Sequence, residues 1–150
     1  MLGDRHARDD VAVVAVRSQA QPAVLELQVP LDPKELAGLR LRLARWLFAH
    51  NVGKDTIGSL VLAASEAAAN VIVHAYGIKE GELSVRGTCE DGAVTIEVRD
   101  HGKWRPAGPN PDGRGLALMR LLVRDVDIET DEGGTTVRLR ELIRADQVAV

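Results

Sequence analysis

The stretch Ser65–Gly77, SEAAANVIVHAYG, sets two polar side chains four residues apart inside a run of small and apolar residues. In a helix, that spacing places Glu66 and Asn70 on one face, with His74 one turn further along. A carboxylate among alanine and valine side chains loses hydration unless it lines a wet cavity or meets a partner. We interpret this polar line as one wall of a site; a solvated helix edge or a cap to a neighbouring loop is the alternative.

The segments on either side of this stretch predict an α/β domain. Alternating apolar residues predict strands, and apolar residues three and four apart predict helices. In chain order the elements are a strand over Ala23–Val29, a helix from an Asp32 cap to about Asn51, a helix over Lys54–Tyr76 closed by Gly77, a hairpin over Gly81–Val98 turning at Asp91-Gly92, a loop over Gly102–Gly113, a helix over Gly115–Val123, and strands over Val126–Ile128 and Thr135–Leu139. This order predicts a two-layer α/β sandwich, with a mostly antiparallel mixed sheet and helices on one face. We place the domain at residues 22–144, between a tail or linker over 1–21 and a C-terminal tail over 145–150.

Charge and composition narrow the classes of function. A net charge of -3 without a run of Lys or Arg argues against direct nucleic-acid binding. The single cysteine, Cys89, excludes an intramolecular disulfide, as is common in cytoplasmic proteins. Polar residues interrupt the longest apolar stretches, so we expect no membrane-spanning segment. We expect a cytoplasmic protein that acts on a protein or a small molecule.

An acidic residue lies at the end of the predicted hairpin. Counting by two from Val94 places Asp100 on the buried face of its strand. Gly102 follows and allows the backbone to approach a ligand closely, while the Asp100 carboxylate is able to accept a hydrogen bond from an exocyclic amino group. An Asx turn that ends the strand is the alternative.

A glycine-rich segment, Gly113-Arg114-Gly115, opens the short third helix. The first N–H groups of a helix have no partner within it and bind phosphate oxygens well, so we predict an anion site; a loop-to-helix hinge is the alternative. Thr135 shares a strand face with Val137 and Leu139. We therefore expect its hydroxyl to point to the interior, within reach of the same ligand.

Three motifs, in this order along the chain, resemble a known family. SEAAANVIVHAYG resembles the N box of the Bergerat-fold ATPases, VRDHG resembles the box that carries their adenine-binding aspartate, and DGRGLALMRLLVRDVDI with GGTTVRL resembles the family's ending. The HAYG ending and the compact length resemble the anti-sigma-factor serine kinases. The resemblance covers about Ala23 to Leu142. The short lid makes a sensor histidine kinase a poorer match.

The resemblance implies a Bergerat ATPase fold that binds ATP and Mg²⁺. Glu66 would be the catalytic base, Asn70 the Mg²⁺ ligand and Asp100 the residue that recognises adenine. The other residues implied at the nucleotide are Gly102 beside Asp100, Gly113, Arg114 and Gly115 at the phosphates, and Thr135. The loop Lys103–Asp112 would be a nucleotide lid, and His74 a packing residue at the helix end. Elementary chemistry agrees, because Mg²⁺ takes oxygen ligands and a carboxylate orients or deprotonates a serine hydroxyl.

The activity implied by the resemblance is that of an ATP-dependent protein-serine kinase. Such an enzyme phosphorylates an anti-anti-sigma protein of the STAS type and sequesters a sigma factor. A non-catalytic nucleotide-binding module that only sequesters a partner is the alternative, and homodimerisation stays open. The opening segment, ARDDVAVVAVR, resembles the last strand of the metal-dependent, PP2C-type phosphatases. Asp9 and Asp10 would then be remnants of a preceding phosphatase domain, unless the segment is only a charged lead-in to a strand.

Overall fold

The computed structural model describes residues 22–74, 81–101 and 114–143. Several sequence expectations fall outside these residues: the tail over 1–21 with its phosphatase-like segment, the helix end at Tyr76 and Gly77, the lid loop with Gly102 and Gly113, and the tail over 145–150. For these segments the expectations stay predictions.

The described residues form one sheet of five strands. The strands are β1 (Val24–Pro30), β2 (Glu82–Glu90), β3 (Ala93–Asp100), β4 (Asp125–Asp131) and β5 (Gly134–Leu142). Their order across the sheet is β1-β2-β3-β5-β4, and every neighbouring pair in it is antiparallel. The predicted α/β class with a mostly antiparallel sheet is confirmed, and the strands within the described residues pair without the parallel neighbours of a mixed sheet.

Three helices accompany this sheet within the described residues: α1 (Glu35–Ala49), α2 (Lys54–His74) and α3 (Arg114–Leu122). The side chain of Asp32 accepts a hydrogen bond from the Lys34 N–H at 2.9 Å, so it organises the turn just ahead of α1. The helix α1 packs on β1, while α2 packs on β3 and β5. The helices thus cover the face onto which the apolar strand residues project.

The hairpin turn follows the sequence signal. Asp91 and Gly92 have φ angles of 51° and 71°, the left-handed conformations that a two-residue hairpin loop of type I′ requires. Because the turn fixes the register, Val94, Ile96 and Val98 all project into the core and are fully buried.

The last two strands are longer than the apolar pattern predicts. Arg138 on the outer face of β5 pairs with Glu97 at 2.9 Å, Asp127 at 3.4 Å and Glu129 at 3.5 Å. Opposite charges on adjacent strands support pairing where apolar residues are scarce. The charges on this face, which is opposite the helices, therefore extend the ladder beyond its apolar centre.

The core lies between the helices and the inner face of the sheet, and its largest side chain is Trp46 of α1, which is 1% exposed. A methyl group at Gly87 of β2 would lie 2.9 Å from the Trp46 ring atom Cζ3, so only glycine leaves room for the indole there. The indole N–H donates to the carbonyl oxygen of Pro22 at 2.9 Å. Trp46 thereby ties α1 both to the sheet and to the start of the domain.

The helix α2 is long and apolar enough to cross a membrane by length and hydropathy alone, which differs from the expectation drawn from its polar residues. Its most apolar 18-residue window is 50% buried within the fold. Ala63, Ala64, Ala67 and Ala68 are among its core residues. We attribute the hydropathy of α2 to this packing, because a helix covered on several sides is apolar nearly all round.

Candidate functional site

The polar line of α2 faces the first turn of α3. A methyl group added at Gly115 would lie 2.7 Å from Glu66 Oε1 and 2.9 Å from Asn70 Nδ2. Both polar residues are partly buried, and Gly115 is buried. The structure therefore brings together three of the predicted site residues, from segments about 45 residues apart in the chain.

The start of α3 suits an anion. Its first turn carries no acidic residue, and its first residue, Arg114, is exposed to solvent. Helix N-termini combine N–H groups that lack intrahelical partners with the positive end of the helix dipole. The start of α3 therefore has the character of an anion site, next to the Glu66 carboxylate and the Asn70 amide.

Asp100 ends β3 on the inner face of the sheet, as the alternation predicts. It is only 3% exposed, and its Oδ1 atom accepts a hydrogen bond from the Thr135 backbone N–H at 3.2 Å. A buried carboxylate needs strong donors, so it is suited to bind a polar ligand group rather than to end a strand in solvent. The helix α2, which carries the polar line, packs on β3 and β5, the two strands that carry Asp100 and Thr135.

Thr135 reaches this site by its backbone. Its hydroxyl oxygen lies 3.3 Å from that of Thr130, its cross-strand partner on β4, whereas its N–H donates to Asp100. Strand alternation gives the face of a side chain but not the partner of a backbone amide. The predicted contact of the Thr135 hydroxyl with the ligand stays a prediction, and the amide adds a contact with Asp100 that side-chain alternation does not predict.

Sequence reasoning missed Gly134 as a site residue. Gly134 has φ +133°, and a methyl group there would lie 2.6 Å from Asp100 Oδ1 and in collision with the Asp100 carbonyl oxygen. No other residue type fits both the backbone conformation and the space. The signal that would have found Gly134 is the Gly133-Gly134 pair that opens the GGTTVRL motif, directly before Thr135.

The residues present fit a magnesium nucleotide. The side chain of Asn70 carries one amide oxygen and lies so close to the first turn of α3 that a Cβ atom at Gly115 would be 2.9 Å from its Nδ2 atom. Among residues 22–74, 81–101 and 114–143, no group of three or more His, Cys, Asp or Glu is placed to hold a metal ion. Magnesium bound with a nucleotide takes most of its ligands from phosphate and water, so a single protein oxygen is compatible with it.

The fold and this arrangement define an ATPase domain of the histidine kinase-like class. The family model described as "Histidine kinase-like ATPase domain" matches residues 29–141. Among curated proteins, the chain is similar to the serine-protein kinase RsbW of Bacillus licheniformis, with 32% identity over 143 residues, covering 83% of this chain and 88% of the relative. It is 30% identical to RsbW of Bacillus subtilis, with the same coverage. The chain belongs to this RsbW-type family of anti-sigma kinases within the histidine kinase-like ATPases.

Two solved structures have the same architecture. The structure of the RsbU and RsbW domains of Rv1364c from Mycobacterium tuberculosis aligns with a TM-score of 0.67 and 26% identity, covering 87% of this chain and 35% of that one. The SiaB-SiaC complex from Pseudomonas aeruginosa aligns with a TM-score of 0.57 and 14% identity, covering 79% of this chain and 89% of that one. The second likeness concerns the fold alone.

Proposed function

We propose that this protein is an ATP-dependent protein-serine kinase that regulates a sigma factor. The observation that carries the proposal is the meeting of Glu66 and Asn70 with Gly115 at the start of α3. Phosphoryl transfer from a magnesium nucleotide uses three such groups at one point: a carboxylate, a neutral oxygen ligand and a helix N-terminus.

In this proposal the nucleotide spans two parts of the site. Asp100 accepts a hydrogen bond from the exocyclic amino group of adenine, beside Gly102. The phosphates lie at the start of α3, held by Gly113, Arg114 and Gly115, and Asn70 ligates Mg²⁺. The ion, when bound, neutralises charge on the phosphate oxygens. The contact between Thr135 and Asp100 supports this arrangement, because it holds the carboxylate in one orientation.

The chemistry assigns one proton transfer to the protein. The hydroxyl oxygen of a substrate serine forms a bond to the γ-phosphorus of ATP as the bond from that phosphorus to the bridging oxygen breaks and ADP leaves. The Glu66 carboxylate accepts the hydroxyl proton, as a general base within hydrogen-bond reach. Its partial burial beside Gly115 supports this role, because a carboxylate held near the phosphates needs little reorganisation to act.

The partners proposed follow from the family. Curated relatives are named serine-protein kinases, which supports a protein serine as the acceptor. We assign an anti-anti-sigma protein of the STAS type as the phosphorylated partner and a sigma factor as the sequestered one, both in the cytoplasm. Formation of a homodimer would not alter the assignment of the site.

The test compares Glu66→Gln with the wild type and with Glu26→Gln, a matched change on the exposed outer face of β1. Transfer of labelled phosphate from Mg-ATP to purified STAS candidates should fall by about 10²- to 10⁴-fold in Glu66→Gln alone, because the amide cannot take the proton. ATP affinity measured by calorimetry should stay near the wild-type value.

Two results would contradict the proposal. Equal transfer rates in the wild type and Glu66→Gln would remove Glu66 as the base. A wild type that binds its sigma factor but phosphorylates no STAS partner would be a sequestering module instead.

A further inference from the structure

Arg99 precedes Asp100 in β3 and lies on the opposite face of the sheet, away from the helices. Its Nη1 atom donates to Thr136 Oγ1 at 3.0 Å, and its Nη2 atom donates to Asp131 Oδ1 at 3.1 Å and Oδ2 at 3.3 Å. One guanidinium group therefore links β3 to β5 and to the end of β4. We refer to Arg99, Asp131 and Thr136 as the Arg99 cluster.

Asp131 also organises the turn between β4 and β5. Its Oδ1 atom accepts the Gly133 N–H at 2.7 Å, and a methyl group at Gly133 would lie 2.8 Å from Arg99 Nη2. The pKa of the Asp131 carboxyl is held below its usual value, mainly by the hydrogen bond from Gly133 and further by Arg99. The turn is thus fixed against Arg99 by both its carboxylate and its backbone.

The residues that follow this turn are the ones that contact Asp100. Gly134 lies against the Asp100 carbonyl and carboxylate oxygens, and the Thr135 N–H donates to Oδ1. Thr136 is directly opposite Arg99 in the register of β3 and β5. The Arg99 cluster therefore holds both ends of the short segment whose middle is bonded to Asp100.

We propose that Arg99 is a positioning residue for the nucleotide site. Its side chain fixes the β4–β5 turn, so that the Thr135 amide orients the Asp100 carboxylate toward the adenine of ATP. The inference rests on the proposed function, because that function assigns adenine recognition to Asp100. The side chain of Arg99 acts on Asp100 through Asp131, Thr136 and the segment between them. The planar guanidinium group places two nitrogen atoms on two partners at once, whereas a lysine side chain carries a single nitrogen atom.

A purely stabilising role predicts a different outcome. The side chains of Arg99 and Asp131 are 35% and 62% exposed, and ion pairs that are this open to water contribute little to folding stability. Arg138 is a matched control, because it lies on the same face, is 37% exposed and makes three carboxylate pairs, with Glu97 and with two residues of β4. The three partner carboxylates lie on the same face of the sheet as Arg138, opposite the face that carries Asp100.

The experiment uses the full chain and the variants Arg99→Gln, Asp131→Asn, their double combination and Arg138→Gln. Amide exchange of Thr135, measured by NMR without nucleotide, should accelerate about tenfold or more in the Arg99 and Asp131 variants, because the amide loses its fixed acceptor. The ATP dissociation constant should rise roughly tenfold in the same variants, because ATP would lose part of one charge-assisted hydrogen bond. The KM for ATP should rise with it while kcat stays near wild type.

The double variant should resemble the single ones, since residues of one network are not additive. Arg138→Gln should change neither Thr135 exchange nor ATP affinity. Unaltered Thr135 exchange in Arg99→Gln would overturn the positioning role, and so would altered exchange with unaltered ATP affinity. A wild type that binds no ATP would overturn the proposed function itself, whereas wild-type ATP binding with unaltered exchange in the variants would overturn only the role of Arg99.

Discussion

The contact between α3 and α2 makes Gly115→Ala the most informative substitution in this protein. The added Cβ would lie 2.7 Å from Glu66 Oε1 and 2.9 Å from Asn70 Nδ2, whereas ordinary contact begins at 3.4 Å. The Glu66 carboxylate must therefore retreat by about 0.7 Å, and the Asn70 amide by about 0.5 Å. Both groups end flexible side chains, so the fold accommodates the change while the site does not.

The magnitudes for folding and for function then separate. Alanine is a better helix former than glycine by about 0.5–1 kcal/mol, which offsets the cost of moving two side chains. We expect a free energy of unfolding within about 1 kcal/mol of the wild type. A misplacement near 1 Å costs about 10²-fold in rate, so phosphate transfer should fall roughly 10- to 100-fold.

Gly58→Ala is the matched control, because it lies in α2 and a methyl group there meets no atom within 4 Å. Urea unfolding should show that Gly58→Ala stabilises the protein by about 0.5–1 kcal/mol. In calorimetry with Mg-ATP and in a phosphate-transfer assay, Gly115→Ala should differ from the wild type, and Gly58→Ala should not. If Gly115→Ala binds ATP and transfers phosphate as the wild type does, Gly115 does not adjoin the reacting groups.

Three further changes test other parts of the structure. Asp100→Asn should weaken ATP binding roughly 10- to 100-fold in calorimetry, because the buried acceptor loses its charge; an unchanged affinity would remove it from the base site. Gly87→Ala should lower the free energy of unfolding by about 1–3 kcal/mol in urea, because the methyl group meets the Trp46 ring at 2.9 Å, and a stable variant would contradict that packing. Removing residues 1–21 should leave ATP affinity intact when Pro22 is kept, since its carbonyl accepts the Trp46 indole N–H; lost affinity would place the tail in the domain.

Local periodicity was enough to predict much of the site. The spacing of four between Glu66 and Asn70 fixes their common face in any helix, and counting by two from Val94 fixes the burial of Asp100 in any strand. The Asp91-Gly92 turn fixes the register of the hairpin in the same way. These features depend on neighbours a few residues away, so the chain encodes them locally.

The extent of β4 and β5 could not be predicted in this manner. The apolar pattern indicates short strands, but pairs such as Arg140 with Asp125 continue the ladder on the face opposite the helices. Such pairs join residues that are distant in sequence and meet only after the register is set. A charged strand end is therefore indistinguishable from a loop until its partner strand is known.

The sequence by itself determined the faces on which the candidate residues lie, because spacing places Glu66 and Asn70 on one side of α2 and Asp100 on the inner face of β3. Only the tertiary structure decided how they are held. Three contacts join segments more than 30 residues apart in the chain. They are the approach of Gly115 to Glu66 and Asn70, the hydrogen bond from the Thr135 amide to Asp100, and the Arg99 cluster. Close approach between such segments is set by the packing of α2 on the sheet and by strand register, which no local pattern of residues encodes.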